Sequence, residues 1–255
     1  MTFKLLRALV ALAALSCAAS QAAVPLPKYN VDTGKATVSG LSSGGFMANQ
    51  LGIAHSTYFK GIGIFAGGPY MCAGHNNYTA CMYNASISAA QLTAMQGSIN
   101  SFSTNGSIDN KSNIAPQKIY MFVGTSDSTV GPNPMNALHT QYANNGVPSA
   151  NLSYISRSGT AHVFPTDFDA TGNNACSTTA SPYISNCGYD GAKAVLQHFY
   201  GTLNARNNAP TQMPNRSPAA PSETRTAGTE RPSWLLHNSN TCAWGDWRAN
   251  PSTSA

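Results

Sequence analysis

Apolar and polar positions fall into two recurring patterns along the chain. Short runs rich in apolar and β-branched residues occur at 36–39 (ATVS), 61–66 (GIGIFA), 118–123 (KIYMFV) and 151–156 (NLSYIS). Runs of this length, bounded by Gly, Pro, Asn and Ser, predict strands. Between them lie longer segments, at 45–55, 86–99, 134–145 and 190–203, whose apolar residues recur at helical spacing. In the first helix Phe46, Met47, Leu51 and Ile53 are candidate core positions. In the last, Ala192, Val195, Leu196 and Phe199 form the apolar stripe. Strands alternating with helices predict parallel βαβ units, hence an α/β fold with a mostly parallel sheet and flanking helices. No internal repeat is evident.

The junction between the first strand and first helix carries candidate chemistry. Gly40-Leu41-Ser42-Ser43-Gly44 fits G-x-S-x-G, the turn that holds a nucleophilic serine out between a strand and a helix. Ser42 has Gly at both −2 and +2, whereas Ser43 has Leu41 at −2, so the frame points to Ser42. The flanking glycines are expected to keep Cβ atoms out of a strained turn. A plain glycine-serine loop is the alternative.

A serine nucleophile needs a base and an acid that orients it. The order Ser, Asp or Glu, His, each after a strand, is the α/β-hydrolase arrangement. The strand ending at Val123 is followed by GTSDSTV, which contains Asp127; the strand ending at Ser156 is followed by RSGTAH, which ends in His162. Alone, Asp127 reads equally well as an Asx-turn residue and His162 as a loop histidine. Together, in order and after strands, they form a candidate triad with Ser42. His55, His139 and His198 fall in predicted helices, His75 in a cysteine-bounded loop and His237 in the C-terminal tail, while Asp167 and Asp169 follow His162 and break the order. The Ser43 backbone N–H is the candidate first oxyanion donor.

Composition adds a compartment. The first 22 residues read as an export signal: Lys4 and Arg7, an apolar run from Ala8 to Leu15, then Ser20-Gln21-Ala22 as a cleavage site. That run is too short to span a bilayer, and a buried N-terminal helix is the alternative. Cys17 raises a lipoprotein reading that Ala14 argues against. Charged residues are only 9% of the 255, and the net charge of +5 is scattered, which speaks against a nucleic-acid surface. Of six cysteines, Cys72 and Cys81 bracket one short polar loop and Cys176 and Cys187 another. Two local disulfides in a secreted (extracellular or periplasmic) chain follow. A zinc site using His75 competes, but no CxxC or HxxxH spacing supports it, so no metal is expected.

Usage changes near Arg206. Upstream there is no Glu, and the only arginines are Arg7 and Arg157; downstream there is no Lys, and Glu223, Glu230, Trp234, Trp244 and Trp247 all appear. The stretch from 209 to 232 lacks apolar periodicity and reads as disordered or a linker. The division expected is a signal at 1–22, a catalytic region at 23–205 and a divergent, disordered tail at 206–255.

The stretches VSGLSSGGFMANQL, IFAGGPYMCA, GTSDSTV, GTAHVFPTDFDATGNNAC and SPYISNCGYDGAKAVLQHFYGTLNARNN resemble extracellular polyhydroxybutyrate depolymerases, in the group whose α/β-hydrolase domain is circularly permuted. The resemblance covers about residues 25–208. It implies an α/β-hydrolase-like fold and a secreted serine esterase. Such an enzyme cleaves poly(3-hydroxybutyrate) or a related short-chain polyester to oligomers and monomers through an acyl-enzyme. It also implies the triad Ser42, Asp127 and His162. No cofactor is expected, and the scattered charge and short apolar run predict no nucleic-acid partner and no membrane span. In that group the sheet's other strands follow the triad histidine, and a His-Gly-Cys turn there supplies the second oxyanion N–H. No His-Gly-Cys occurs after residue 208, and Cys242 in NTCAWG is a poor substitute. The domain is therefore expected to be incomplete, from a truncated or frame-shifted gene. An inactive fragment, a non-catalytic polymer binder, a feruloyl or acetylxylan esterase and, more distantly, a metal hydrolase are the alternatives.

Overall fold

The computed structural model describes residues 31–206. The expected export signal at 1–22, residues 207–255 of the expected tail and Cys242 lie outside the described residues. Four strands form a parallel sheet in the order β1 (Thr37–Leu41), β2 (Gly61–Phe65), β3 (Lys118–Gly124) and β4 (Leu152–Arg157). Between them run α1 (Ser43–Ala54), the single turn α2 (Cys72–His75), α3 (Ala89–Asn105) and α4 (Pro132–Asn144); α5 (Gly191–Tyr200) follows. The βαβ alternation predicted from the apolar pattern is the one observed, with element ends shifted by a few residues.

The two central strands explain their composition. β2 is buried along its whole length and β3 from Ile119 onward, as befits parallel strands covered on both faces. Side chains alternate across the sheet. Ile119, Met121 and Val123 join Ile62, Ile64, Ile53, Ile99 and Leu138 in one core, under α1, α3 and α4. Tyr120 and Phe122 join Phe65, Val195 and Phe199 in the other, under α5. The alternation in GIGIF has the same cause: a Cβ on Gly61 would stand 2.6 Å from the Phe199 ring, and one on Gly63 2.7 Å from Val195.

Two predicted apolar faces are corrected. On α1 the buried residues are Gly45, Ala48, Asn49, Gly52 and Ile53; Phe46 and Leu51 are half-buried and Met47 is exposed. The helix lies so close to β2 that its contact face is made of small residues. Asn49 is tolerated there because its amide donates to the Gly68 carbonyl at 3.0 Å and its oxygen accepts from Tyr142 at 2.6 Å. On α5 only Gly191, Val195 and Phe199 are buried, while Ala192 and Leu196 face outward. The stripe is narrow because it seats on the two strand glycines.

A second, three-stranded sheet of very short strands lies after β4: β5 (Phe164–Thr166), β6 (Asn174–Ala175) and β7 (Ile184–Asn186), in the order β5-β7-β6. Strands of two or three residues carry no readable period, and none was predicted. Both expected disulfides are present, Cys72–Cys81 and Cys176–Cys187. Among the described residues no helix is long and apolar enough to cross a membrane.

Candidate active site

The strands β1, β3 and β4 run parallel, so their C-terminal ends share one edge of the sheet, where ligand sites of open α/β sheets form. Ser42 directly follows β1, Asp127 comes three residues after β3, and His162 five after β4.

Ser42 sits at φ 58°, ψ −122°, a conformation that costs non-glycine residues about 1–3 kcal/mol. Its N–H donates to the Phe65 carbonyl and its carbonyl accepts from the Phe46 N–H, both at 2.9 Å. These bonds tie the turn to β2 and to the first turn of α1. The glycine requirement is partly as expected. A Cβ on Gly40 would lie 2.3 Å from the Gly44 carbonyl oxygen, and one on Gly45 2.9 Å from the Phe65 carbonyl. A Cβ on Gly44 meets nothing within 4 Å. The space needed by the turn is therefore secured by Gly40 and Gly45, and the motif's own second glycine is not the constrained one. Ser43 is the first residue of α1, whose leading N–H groups have no acceptor inside the helix.

Asp127 uses its two carboxylate oxygens differently. One carboxylate oxygen, Oδ1, accepts the N–H groups of Thr129 and Val130, each at 2.9 Å, which is the Asx turn. The other, Oδ2, accepts from His162 Nδ1 at 2.8 Å. Both side chains are buried, with 0% of Asp127 and 4% of His162 exposed. Burial pushes the Asp127 carboxyl up. The His162 hydrogen bond, the charge of His162 and the Val130 and Thr129 N–H groups pull it down further, so the net direction is below the ordinary value of 3.8. A carboxyl depressed by folding contributes stability that is present above its unfolded value and is lost as pH falls through the folded one. Acid below about pH 4 is thus expected to destabilise the chain. Urea unfolding midpoints measured from pH 6 down to pH 2 should fall, and should fall less in Asp127→Asn.

The loops bearing Asp127 and His162 are zipped together. Thr125 N–H donates to the Arg157 carbonyl at 2.9 Å and Ser126 N–H to the Thr160 carbonyl at 3.0 Å. Gly159 N–H donates to Thr125 Oγ1 at 3.1 Å. A Cβ on Gly124 would stand 2.0 Å from the Thr160 oxygen and 2.9 Å from that of Ala161. Both are backbone atoms that cannot give way without moving His162. Gly124→Ala is expected to cost about 3 kcal/mol or more and to pull His162 from Asp127. Denaturant unfolding checks the first effect, and residual ester turnover of the folded fraction checks the second.

Each disulfide holds one flank of the site. The Cys72–Cys81 loop walls a cavity of about 180 Å³ that opens beside Ser42 and Ser43. Tyr78 lines it from within that loop, and Phe46, Pro69, Met71, Met82 and Val130 supply the rest of its apolar lining. Asp127 and His162 do not line it. On the other flank, Ala161 N–H donates to the Cys176 carbonyl at 2.9 Å and His162 N–H to Thr179 Oγ1 at 3.1 Å. The lining residues Tyr78 and Met82 were not singled out from the sequence; their only signal is their place inside or beside a disulfide loop.

Two other described histidines bond elsewhere. His75 Nε2 pairs with Ser98 Oγ at 2.7 Å, and His198 Nε2 with the Asn151 carbonyl at 3.1 Å. The zinc alternative loses its thiolates, since Cys72 and Cys81 are bonded to each other. Among the described residues no group of three or more His, Cys, Asp or Glu side chains is placed to hold a metal ion.

No protein-family model matches the chain. A polyhydroxybutyrate depolymerase of Talaromyces funiculosus is 53% identical over 191 residues, 74% of this chain and 55% of the relative. A poly(3-hydroxybutyrate) depolymerase of Delftia acidovorans is 45% identical over 216 residues, 82% of this chain and 42% of the relative. The chain thus spans about half the length of the curated relatives it matches. The crystal structure of a PHB depolymerase from Penicillium funiculosum superposes with a TM-score of 0.69 at 51% identity, covering 73% of this chain and 57% of that one. A serine-to-alanine variant of a PHB depolymerase, complexed with an R3HB trimer, superposes with a TM-score of 0.68 at 50% identity over the same shares. The described fold is accordingly α/β-hydrolase-like.

Proposed function

The matched region, about three quarters of the chain, belongs to the polyhydroxybutyrate depolymerase family, and from that premise we propose that this protein is a secreted serine esterase acting on poly(3-hydroxybutyrate) or a related short-chain polyester. Ser42 is the nucleophile, His162 the base, Asp127 its orienting acid and the Ser43 N–H an oxyanion donor. The observation that carries this reading is the buried Asp127–His162 hydrogen bond of 2.8 Å at the same sheet edge as the strained Ser42 turn. Two disulfides support export to an oxidising compartment.

The chemistry follows from these positions. Ser42 Oγ attacks the ester carbonyl carbon as its proton passes to His162 Nε2. Asp127 holds the proton on Nδ1, leaving Nε2 free to accept, and stabilises the imidazolium that forms. The carbonyl oxygen gains negative charge, which the Ser43 N–H and the positive end of α1 offset. The bond to the alcohol oxygen then breaks, that oxygen takes the proton from His162, and the acyl group stays on Ser42. Water, deprotonated by His162, releases the hydroxyacid and regenerates the serine. The mostly apolar cavity beside Ser42 suits an aliphatic ester with few polar groups.

The test is incubation with an opaque poly(3-hydroxybutyrate) suspension in parallel with methyl ferulate and acetylated xylan. Clearing with release of 3-hydroxybutyrate or its oligomers is expected. Turnover confined to the ferulate or acetyl substrates would move the assignment to those esterases, and turnover of none of the three would contradict it.

A further inference from the structure

His162 is almost fully covered, yet Asp127 accounts only for its Nδ1 edge. Part of the remaining cover comes from the loop closed by Cys176–Cys187. Cys176 and Thr179 bond the main chain of Ala161 and His162. Tyr183 meets the imidazole itself: the two ring centroids are 6.5 Å apart with planes at 79°, an edge-on contact.

Tyr183 is held there against its conformational preference. Its φ is 62°, a left-handed value that bulky residues avoid and glycine takes freely. The main chain is pinned on both sides. Its N–H donates to the Ala180 carbonyl and its carbonyl accepts from the Phe164 N–H, each at 2.7 Å. Asn174 Nδ2 donates to the carbonyls of Ala180 and Ser181 at 2.7 and 3.2 Å. The residue is nevertheless 44% exposed, and its hydroxyl has no hydrogen-bond partner among the described residues. A half-exposed aromatic in a strained conformation contributes little to the core, and such strain concentrates at functional sites.

We propose that Tyr183 is a positioning residue for His162. Its ring fixes the plane of the imidazole and keeps water from the Asp127–His162 hydrogen bond, which is stronger in a dry setting. This rests on the reading of His162 as the base. The aromatic ring carries the role and the hydroxyl does not.

Two substitutions separate positioning from folding. Tyr183→Gly removes the ring and at the same time relieves the left-handed φ; Tyr183→Phe keeps the ring. The first readout is solvent exchange of the imidazole Nδ1–H proton by NMR, assigned by its absence from His162→Ala. The second is hydrolysis of p-nitrophenyl butyrate. Tyr183→Gly is expected to unfold at the same or a higher denaturant concentration and to exchange the Nδ1–H rapidly. Its kcat should fall roughly 10- to 100-fold, the scale of a misplaced catalytic group, with KM moving less than about twofold. Tyr183→Phe should restore both signals. A Tyr183→Gly chain that keeps a protected Nδ1–H and full kcat overturns the proposal. So does one whose unfolding midpoint drops along with its activity, since the role is then structural, and so does a parent chain with no protected Nδ1–H. Turnover that survives His162→Ala removes the base assignment and this proposal together. Loss of turnover in His162→Ala beside an unaffected Tyr183→Gly removes the positioning role alone.

Discussion

Ser42→Ala is expected to lower ester turnover by about 10⁶-fold, the scale seen when a triad serine is removed, with no loss of folding stability. The two halves of that expectation have separate causes. The rate depends on Oγ, which alanine lacks. The fold depends on the Ser42 main chain, whose N–H bonds Phe65 and whose carbonyl bonds Phe46, and alanine keeps both. Alanine and serine each carry a Cβ, so the strain at φ 58° is the same in the variant. Turnover of p-nitrophenyl butyrate and a urea unfolding curve on the same preparation check the pair. A variant that loses activity together with stability would place Ser42 in the scaffold instead of the chemistry.

Asp127→Asn is expected to lower kcat by about 10⁴-fold through the wrong tautomer of His162. The division of labour between the two carboxylate oxygens makes the direction specific. The Thr129 and Val130 N–H groups both point at Oδ1, so the asparagine oxygen takes that place and the NH₂ group must face His162. Nδ1 then becomes an acceptor, the proton moves to Nε2, and the atom that should receive the Ser42 proton is already occupied. Because the Asx turn survives, the unfolding midpoint at neutral pH should fall by much less than loss of the whole side chain would cause. Steady-state kinetics with an NMR assignment of the His162 tautomer checks both statements. An Asp127→Asn chain with near-normal kcat would show that the buried bond orients nothing of consequence.

Much of the site was legible in the chain because its parts follow strands that announce themselves. KIYMFV and GIGIFA are too apolar to be anything but covered, and the residues after β1, β3 and β4 had to reach one sheet edge once those strands were parallel. The details that escaped depend on contacts between distant segments. Periodicity placed Met47 and Leu196 in the core because it reports a helix's apolar side and not how closely the helix approaches its sheet. Small residues on α1 and β2 narrowed that contact and turned both outward. The G-x-S-x-G pattern gave Gly44 equal weight with Gly40, yet the tight space lies at Gly40, against the Gly44 backbone, and at Gly45, against the Phe65 carbonyl of the neighbouring strand. Asx turn and triad acid stood as rival readings of Asp127, and its two oxygens allow both. Tyr183 gave no signal at all: its importance lies in a backbone angle and a ring contact 21 residues beyond His162 in the chain.

Activation of Ser42 by His162 is open to a direct chemical test: treating the chain with a fluorophosphonate and locating the adduct by peptide mass. A single adduct on Ser42 is expected, formed rapidly in the parent chain and lost in His162→Ala. A folded chain that leaves Ser42 unlabelled, or a His162→Ala variant that labels at the parent rate, would contradict it.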